Sequence, residues 1–400
     1  TNLDISGDVD VDGTTNLDVV DIDGAVDMAS TLAVAGTGTF TGLVDAAIVD
    51  GENFKINGAQ GSDGQVLTST GSGVAWEAGG GGGATFKAFG TSSIMVGDDA
   101  TGTISAADYN TALGVDVFAA LTSGDYNSVL GFQAGYALTT GEENTAVGNL
   151  TGQGLTTGSY NTAVGSNSLV NTTTADYNTT LGRSAMHHNT TGANNTAVGS
   201  FALHVNTTAD NIVAVGYNAL GANTTGPYNT AVGYNCLDAN TTGDYNTAVG
   251  HLALTAETTG STNDCFGYST GASITTGTNN VVMGAFSMDG GGAQTGSGNT
   301  HMGHAGSRVL TSGANNASFG ISALAACTTG SLNTAIGQRA GLNITTGANN
   351  QLFGQDAGTV NGPAGAITTG GNQIVVGNTD SANAHIQIDW TVASDKRDKT

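Results

Sequence analysis

Three acidic residues, Asp108, Asp125 and Glu142, stand seventeen positions apart. If successive copies of that interval stack as neighbouring strands, their carboxyls would lie about 4.8 Å apart, a separation superficially suited to a glycoside-cleaving pair. Each one precedes a strand at a turn, and no acid-rich insertion builds a cleft around them, so they read as solvated corner residues. His187 and His204 share a position in that interval, His188 is adjacent, and His301 and His304 bracket a corner. Threefold symmetry could multiply either set into a metal site, but all of these histidines read as surface imidazoles, so no metal and no cofactor is expected. Cys236, Cys265 and Cys327 are odd in number and far apart, which fits small buried hydrophobes rather than a disulfide framework.

Other chemistry is excluded more simply. The eight aspartates between Asp4 and Asp27 lack the spacing of an EF-hand and read as a solvated acidic face. No phosphate loop, dinucleotide fingerprint or aromatic platform for nucleic acid is present. With 8 Lys+Arg against 32 Asp+Glu, the net charge of −24 leaves no basic stripe to neutralise phosphates. No apolar run reaches the length of a membrane helix, so no membrane insertion is expected, and no basic-then-apolar signal segment opens the chain.

The seventeen-residue interval is a repeat that organises most of the chain. YNTAVG ends at Gly165, Gly233 and Gly250, with variants at Gly182 and Gly199. Taking the last glycine as a marker gives a series from Gly97 to Gly377, broken only by an insertion of two before Gly303 and of six before Gly377. A period this regular signals a solenoid. The residue before the marker is apolar in all seventeen copies, which predicts a core position: Val147, Val164, Leu181, Val198, Val215, Val232 and Val249. Four before the marker stands Asn in fourteen of the seventeen copies, and stacking would align Asn144, Asn161, Asn178, Asn195, Asn229 and Asn246 into an amide ladder. The second half of the repeat carries a small-then-bulky pair such as Ala219-Leu220 and a Thr-Thr-Gly turn. Glycine and threonine at this density exclude a helical repeat.

The expectation is therefore an all-β, parallel β-solenoid of seventeen-residue coils over 90–377, with an N-terminal β-rich stalk. Residues 1–50 alternate apolar and acidic residues and read as that acidic stalk. Residues 51–89 read as a small Gly-rich connector containing a flexible glycine joint at 79–83. Residues 378–400 return to an alternating strand around His385 to Trp390 and end in a charged tail. Two or three sizeable apolar side chains per coil are too few to offset the entropy of ordering seventeen residues, so burial between chains is expected, as a parallel homotrimer.

The coil motif resembles the head repeats of trimeric autotransporter adhesins and related phage fibres, which implies a trimeric parallel β-roll. The segments TNLDVVDIDGAVDMASTL and INGAQGSDGQVLTSTGSGVAWE are similar to stretches in structural proteins of marine tailed phages. The ending Ser394-Asp395-Lys396-Arg397-Asp398-Lys399 resembles the opening of the intramolecular chaperone that follows many phage fibres and endosialidase-type spikes, with Asp398 where that family has Leu. That resemblance implies single-turnover self-cleavage with Ser394 as nucleophile and Lys399 as its base; no other enzymatic activity is expected. The function implied is a structural fibre of a tailed phage, located in the virion and joined to other tail or baseplate proteins. It would reach a host receptor that is a glycan or an outer-membrane component. The alternatives are a bacterial trimeric surface adhesin head and, behind it, a glycan-degrading tailspike.

Overall fold

The computed structural model describes residues 106–381 continuously and, ahead of them, the strands Lys55–Ile56, Ala59–Gln60, Gln65–Ser69, Val74–Ala78, Thr85–Phe89 and Ser93–Gly97. The stalk at 1–50, the glycine joint at 79–83, the strand at 385–390 and the junction of Ser394 and Lys399 lie outside the described residues. The chain divides into two compact units, Thr1–Ala78 and Gly79–Thr400. The first contains two antiparallel pairs, Lys55–Ile56 with Ala59–Gln60 and Gln65–Ser69 with Val74–Ala78.

In the second unit an antiparallel hairpin, Thr85–Phe89 with Ser93–Gly97, leads into a parallel ladder. Its first strand falls inside the segment read from sequence as a connector, yet it pairs into the solenoid sheet. Sixteen three-residue strands follow, from Thr111–Leu113 to Ile374–Val376. Each pairs in register with the strands before and after it in the chain, for example Ala214 with Ala231 and Ala231 with Ala248. Among the described residues no pair joins the last strand to the first, so the sheet is an open ladder, about 70 Å long at the strand spacing.

The coil from Gly216 to Gly233 shows how seventeen residues close one turn. Gly216, at φ 133°, leaves the strand by a path no L residue follows without strain, and a Cβ there would sit 2.6 Å from the carbonyl carbon of Gly233 one coil on. The chain then turns through Asn218, Leu220 and Tyr228, all left-handed, at φ 54°, 52° and 59°. Such residues cost about 1–3 kcal/mol each unless their surroundings hold them. Here the neighbouring coils do. The amides of Asn218 and Tyr228 donate to Ser200 and Asp210 on one side, and that of Leu220 to Cys236 on the other, at 3.0 to 3.1 Å. The turn threonine repeats the device in its side chain, Thr224 Oγ1 donating to the Thr241 carbonyl at 2.9 Å.

The interior of this coil is Ala219, Leu220, Asn223, Asn229 and Ala231, each fully buried. This corrects the expected core. The interior strand residue is the middle one, as in Ala146, Ala163, Thr180, Ala197 and Ala231. Adjacent strand residues face opposite sides of the sheet, and the inward one is most often alanine, with Val129, Val282 and Leu352 among the larger exceptions. The larger residue before the marker is turned out: Leu181 is 50% and Val232 36% exposed, while Val147, Val164, Val198, Val215 and Val249 are half-buried.

In most coils a bulky interior side chain is supplied from one of two sites; coil 114–131 fills both, with Phe118 and Leu121, where Phe118 reaches over Gly135 of the next coil. Where the fourth residue after the marker is large, as in Leu169, Leu203 or Leu237, the seventh is polar: Thr172, Asn206, Asn240. Where the fourth is Gly135, Gly152, Gly271 or Gly341, the seventh is Leu138, Leu155, Ile274 or Ile344. Close packing explains the exchange, since a coil with a bulky group at neither site would lose contacts.

Candidate functional site

The asparagines four before the marker form a buried ladder, interrupted where Ile212 takes the place between Asn195 and Asn229. Asn161 Nδ2 donates to Asn144 Oδ1 at 3.1 Å and to the Ala175 carbonyl at 2.9 Å, and Asn161 Oδ1 receives the Asn178 amide at 3.0 Å. Asn195 Oδ1 accepts the Ile212 amide at 2.9 Å, and Asn229 Oδ1 accepts the Asn246 amide at 2.8 Å. No side-chain nitrogen or oxygen of the ladder is left without a partner, so its side chains hold coils together rather than offering themselves to a ligand.

The acidic positions before the strand also bind neighbouring coils. Asp125 Oδ1 accepts the Asp108 amide at 2.7 Å, and Asp176 and Asp210 accept those of Ser159 and Ala193 at the same distance. Ser159 and Ser261 substitute for aspartate in this role. A carboxylate replaceable by a hydroxyl is serving as an acceptor for a backbone amide, not as half of an acid–base pair.

His187, His188 and His204 come together, with ring centroids 4.7 to 5.4 Å apart. The Nδ1 atoms of His187 and His204 lie 3.1 and 3.0 Å from the carbonyls of Asn167 and Ser184, so Nδ1 carries the proton in each. Burial, then the two neighbouring rings, lower the pKa of His188. The His187 and His204 rings are stacked face to face, an arrangement that does not converge two nitrogens on one ion at the ~2.0–2.1 Å of a zinc bond. Among the described residues no group of three or more His, Cys, Asp or Glu side chains is placed to hold a metal.

His301 departs from its expected surface place. It takes the inward position of the strand Thr300–Met302, fully buried, with Nδ1 2.5 Å from Ser318 Oγ and 2.9 Å from Ser307 Oγ. Burial pushes its pKa down to about 3, so the ring is neutral. The cysteines are buried and free, and burial raises the thiol of Cys236 to about 12 and that of Cys327 to about 11.

What remains open to solvent is a face, not a cleft. Leu113, Leu130, Leu181, Val232, Met283 and Ile336 each expose a third or more of their surface along one line. The two outward positions of the sixteen strands carry a single charged residue, Asp264. Beside this row, just past the marker glycine, runs a column of rings that sequence reasoning missed. Tyr217, Tyr234, His251 and Tyr268 stack at 5.1 to 5.3 Å between centroids and within 14° of parallel. Phe286 and His304 extend the column edge to face. The signal was available, because Tyr217, Tyr234, His251, Tyr268 and His304 each follow a marker glycine directly. No helix among the described residues is long and apolar enough to cross a membrane. No protein-family model matches this chain, and no curated protein matches it.

Proposed function

We propose that this chain is a structural fibre of a tailed phage, assembled as a parallel homotrimer in the virion, that extends toward the host cell surface and helps attach to it. The observation that carries the reading is the uncharged apolar row on the outside of all sixteen strands. A row of that length on a chain of net charge −24 is an expected interface. A partner able to cover it must match its axial repeat coil for coil, which further copies of the same chain do. The solenoid supplies rigid reach, and its polar groups are spent on coil-to-coil bonds. Attachment to other tail or baseplate proteins and to a host glycan or outer-membrane component follows from the fibre reading. Self-cleavage by Ser394 and Lys399 belongs to the same proposal.

Analytical ultracentrifugation of the purified chain should give three times 39.4 kDa. A stable, folded monomer would remove the interface and with it the fibre. Binding of the labelled assembly to bacterial cells separates the two surface readings. Retention on marine bacteria supports the fibre, whereas retention only on eukaryotic cells would favour the adhesin head.

A further inference from the structure

The coil interior holds a second polar ladder, and its last rung is chemically unlike the others. Asn206 Nδ2 donates to Asn189 Oδ1 at 2.8 Å, Asn223 to Asn206 at 3.2 Å and Asn240 to Asn223 at 2.9 Å. Each of these amides also donates to the turn carbonyl three residues on, Ala209, Gly226 and Gly243, at 3.0 to 3.1 Å. An Asn rung therefore gives two hydrogens, one to the rung before it and one to its own turn. Glu257 occupies the next rung, and Ile274 the one after. Glu257 is fully buried, one carboxyl oxygen accepting the Gly260 amide and the other facing Asn263 Nδ2 at 3.4 Å. Each predecessor donates from this place to the Oδ1 of the rung before it and to its own turn carbonyl, so the register sets the Glu257 carboxyl against the corresponding acceptors, Asn240 Oδ1 and the Gly260 carbonyl. A carboxylate has no hydrogen to give either of them; a carboxylic acid has one.

We propose that Glu257 is a protonated rung of the folded coil, a proton standing where the other rungs have an amide hydrogen, and that losing this proton loosens the solenoid at coils 250–284. The compensation open to a carboxylate here is limited to amide donors, the backbone of Gly260, Thr258 and Thr259 and, at 3.4 Å, Asn263 Nδ2, with no cationic group acting on it. Leu254 lies on its own coil and Ile274 on the next. The titratable group in reach is the Cys265 thiol, which burial holds neutral, and Asp264 turns outward on its strand. Burial raises the Glu257 carboxyl from 4.5 to about 7, with the amides of Gly260, Thr258 and Thr259 opposing. The folded pKa lies above the unfolded one, so the stabilisation is complete below about 4.5, falls as pH rises and is gone once pH passes about 7.

Native-state hydrogen exchange on the full chain, corrected for intrinsic exchange, tests this. Amides of coils 250–284 should lose protection between pH 5 and pH 7 by up to about tenfold per pH unit, while coils 199–233 stay level. Glu257→Gln and Glu257→Asn, which restore the amide donor, should each abolish the loss. The infrared band of a buried carboxylic acid should be present at pH 5 in the native chain and absent from both variants. An unchanged pH dependence in variants that fold, or the absence of that band from the native chain, would overturn the proposal.

Discussion

Ala231 and Val232 are adjacent in one strand, yet one faces the coil interior and the other the outside. The two residues should therefore fail differently when given the same charge. Ala231→Asp would bury a carboxylate among apolar atoms with no partner, costing several kcal/mol, and should lower the melting temperature and local exchange protection of the isolated coil stack. Val232→Asp should leave circular dichroism and local protection close to native and act on self-association instead. Equal thermal destabilisation from both, with assembly unaffected, would contradict the assigned faces. The sequence could not settle this assignment. Strict alternation announces a strand with two faces, but both faces of this strand carry apolar residues, and alternation alone does not say which of the two turns toward the coil interior. The asparagine ladder was legible for the opposite reason: a polar residue repeated beside a strand has few uses besides bonding to its own copies. His301 and Glu257 were illegible, since each is a single departure in a column and becomes informative only once its neighbours in space are known.

At the scale of the coil, the exchange between the fourth and seventh positions after the marker makes a quantitative expectation. Gly152 and Leu155 fill one coil as Leu169 and Thr172 fill the next. Gly152→Leu alone adds a second bulky side chain to a coil already filled by Leu155, an overpacking that should cost about 1–3 kcal/mol. Adding Leu155→Thr reproduces the composition of the neighbouring coil and should recover most of that loss. Gly152 suits the exchange because its added Cβ would meet only Ala146 Cβ, at 3.7 Å. Thermal unfolding of the two single variants and the double variant gives the coupling directly, and purely additive losses would mean the sites do not share one space. The coil period itself was readable because the marker glycine is forced by geometry. A backbone at φ near 130° pressed against the next coil's carbonyl tolerates no other residue. The aromatic column escaped notice because nothing in coil closure demands it: Asn149, Ser166 and Ser200 fill the same place in other coils.

For the whole molecule, charge and apolar surface pull in opposite directions. Three chains of −24 would bring −72 together, with only 8 basic residues per chain to offset it. Among the described residues two ion pairs stand out, Arg308 with Asp289 at 3.1 Å and Arg339 with Asp356 at 2.9 Å, and both lie within one chain. An assembly held by the outward strand row would therefore be opposed by long-range repulsion and held by short-range burial. Added salt screens the first, its reach falling from about 30 Å at 0.01 M to about 10 Å at 0.1 M, and leaves the second nearly untouched. Sedimentation equilibrium over that range should show association strengthening several-fold as salt rises. An interface built on ion pairs between chains would respond in the other direction, weakening as its charges are screened. Repeating the series with Leu181→Asp, which adds a charge to the uncharged row, should lower the association at every salt concentration and steepen its salt dependence. If that variant assembles as well as the native chain, the chains meet through some other surface, and the apolar row must be covered by something else.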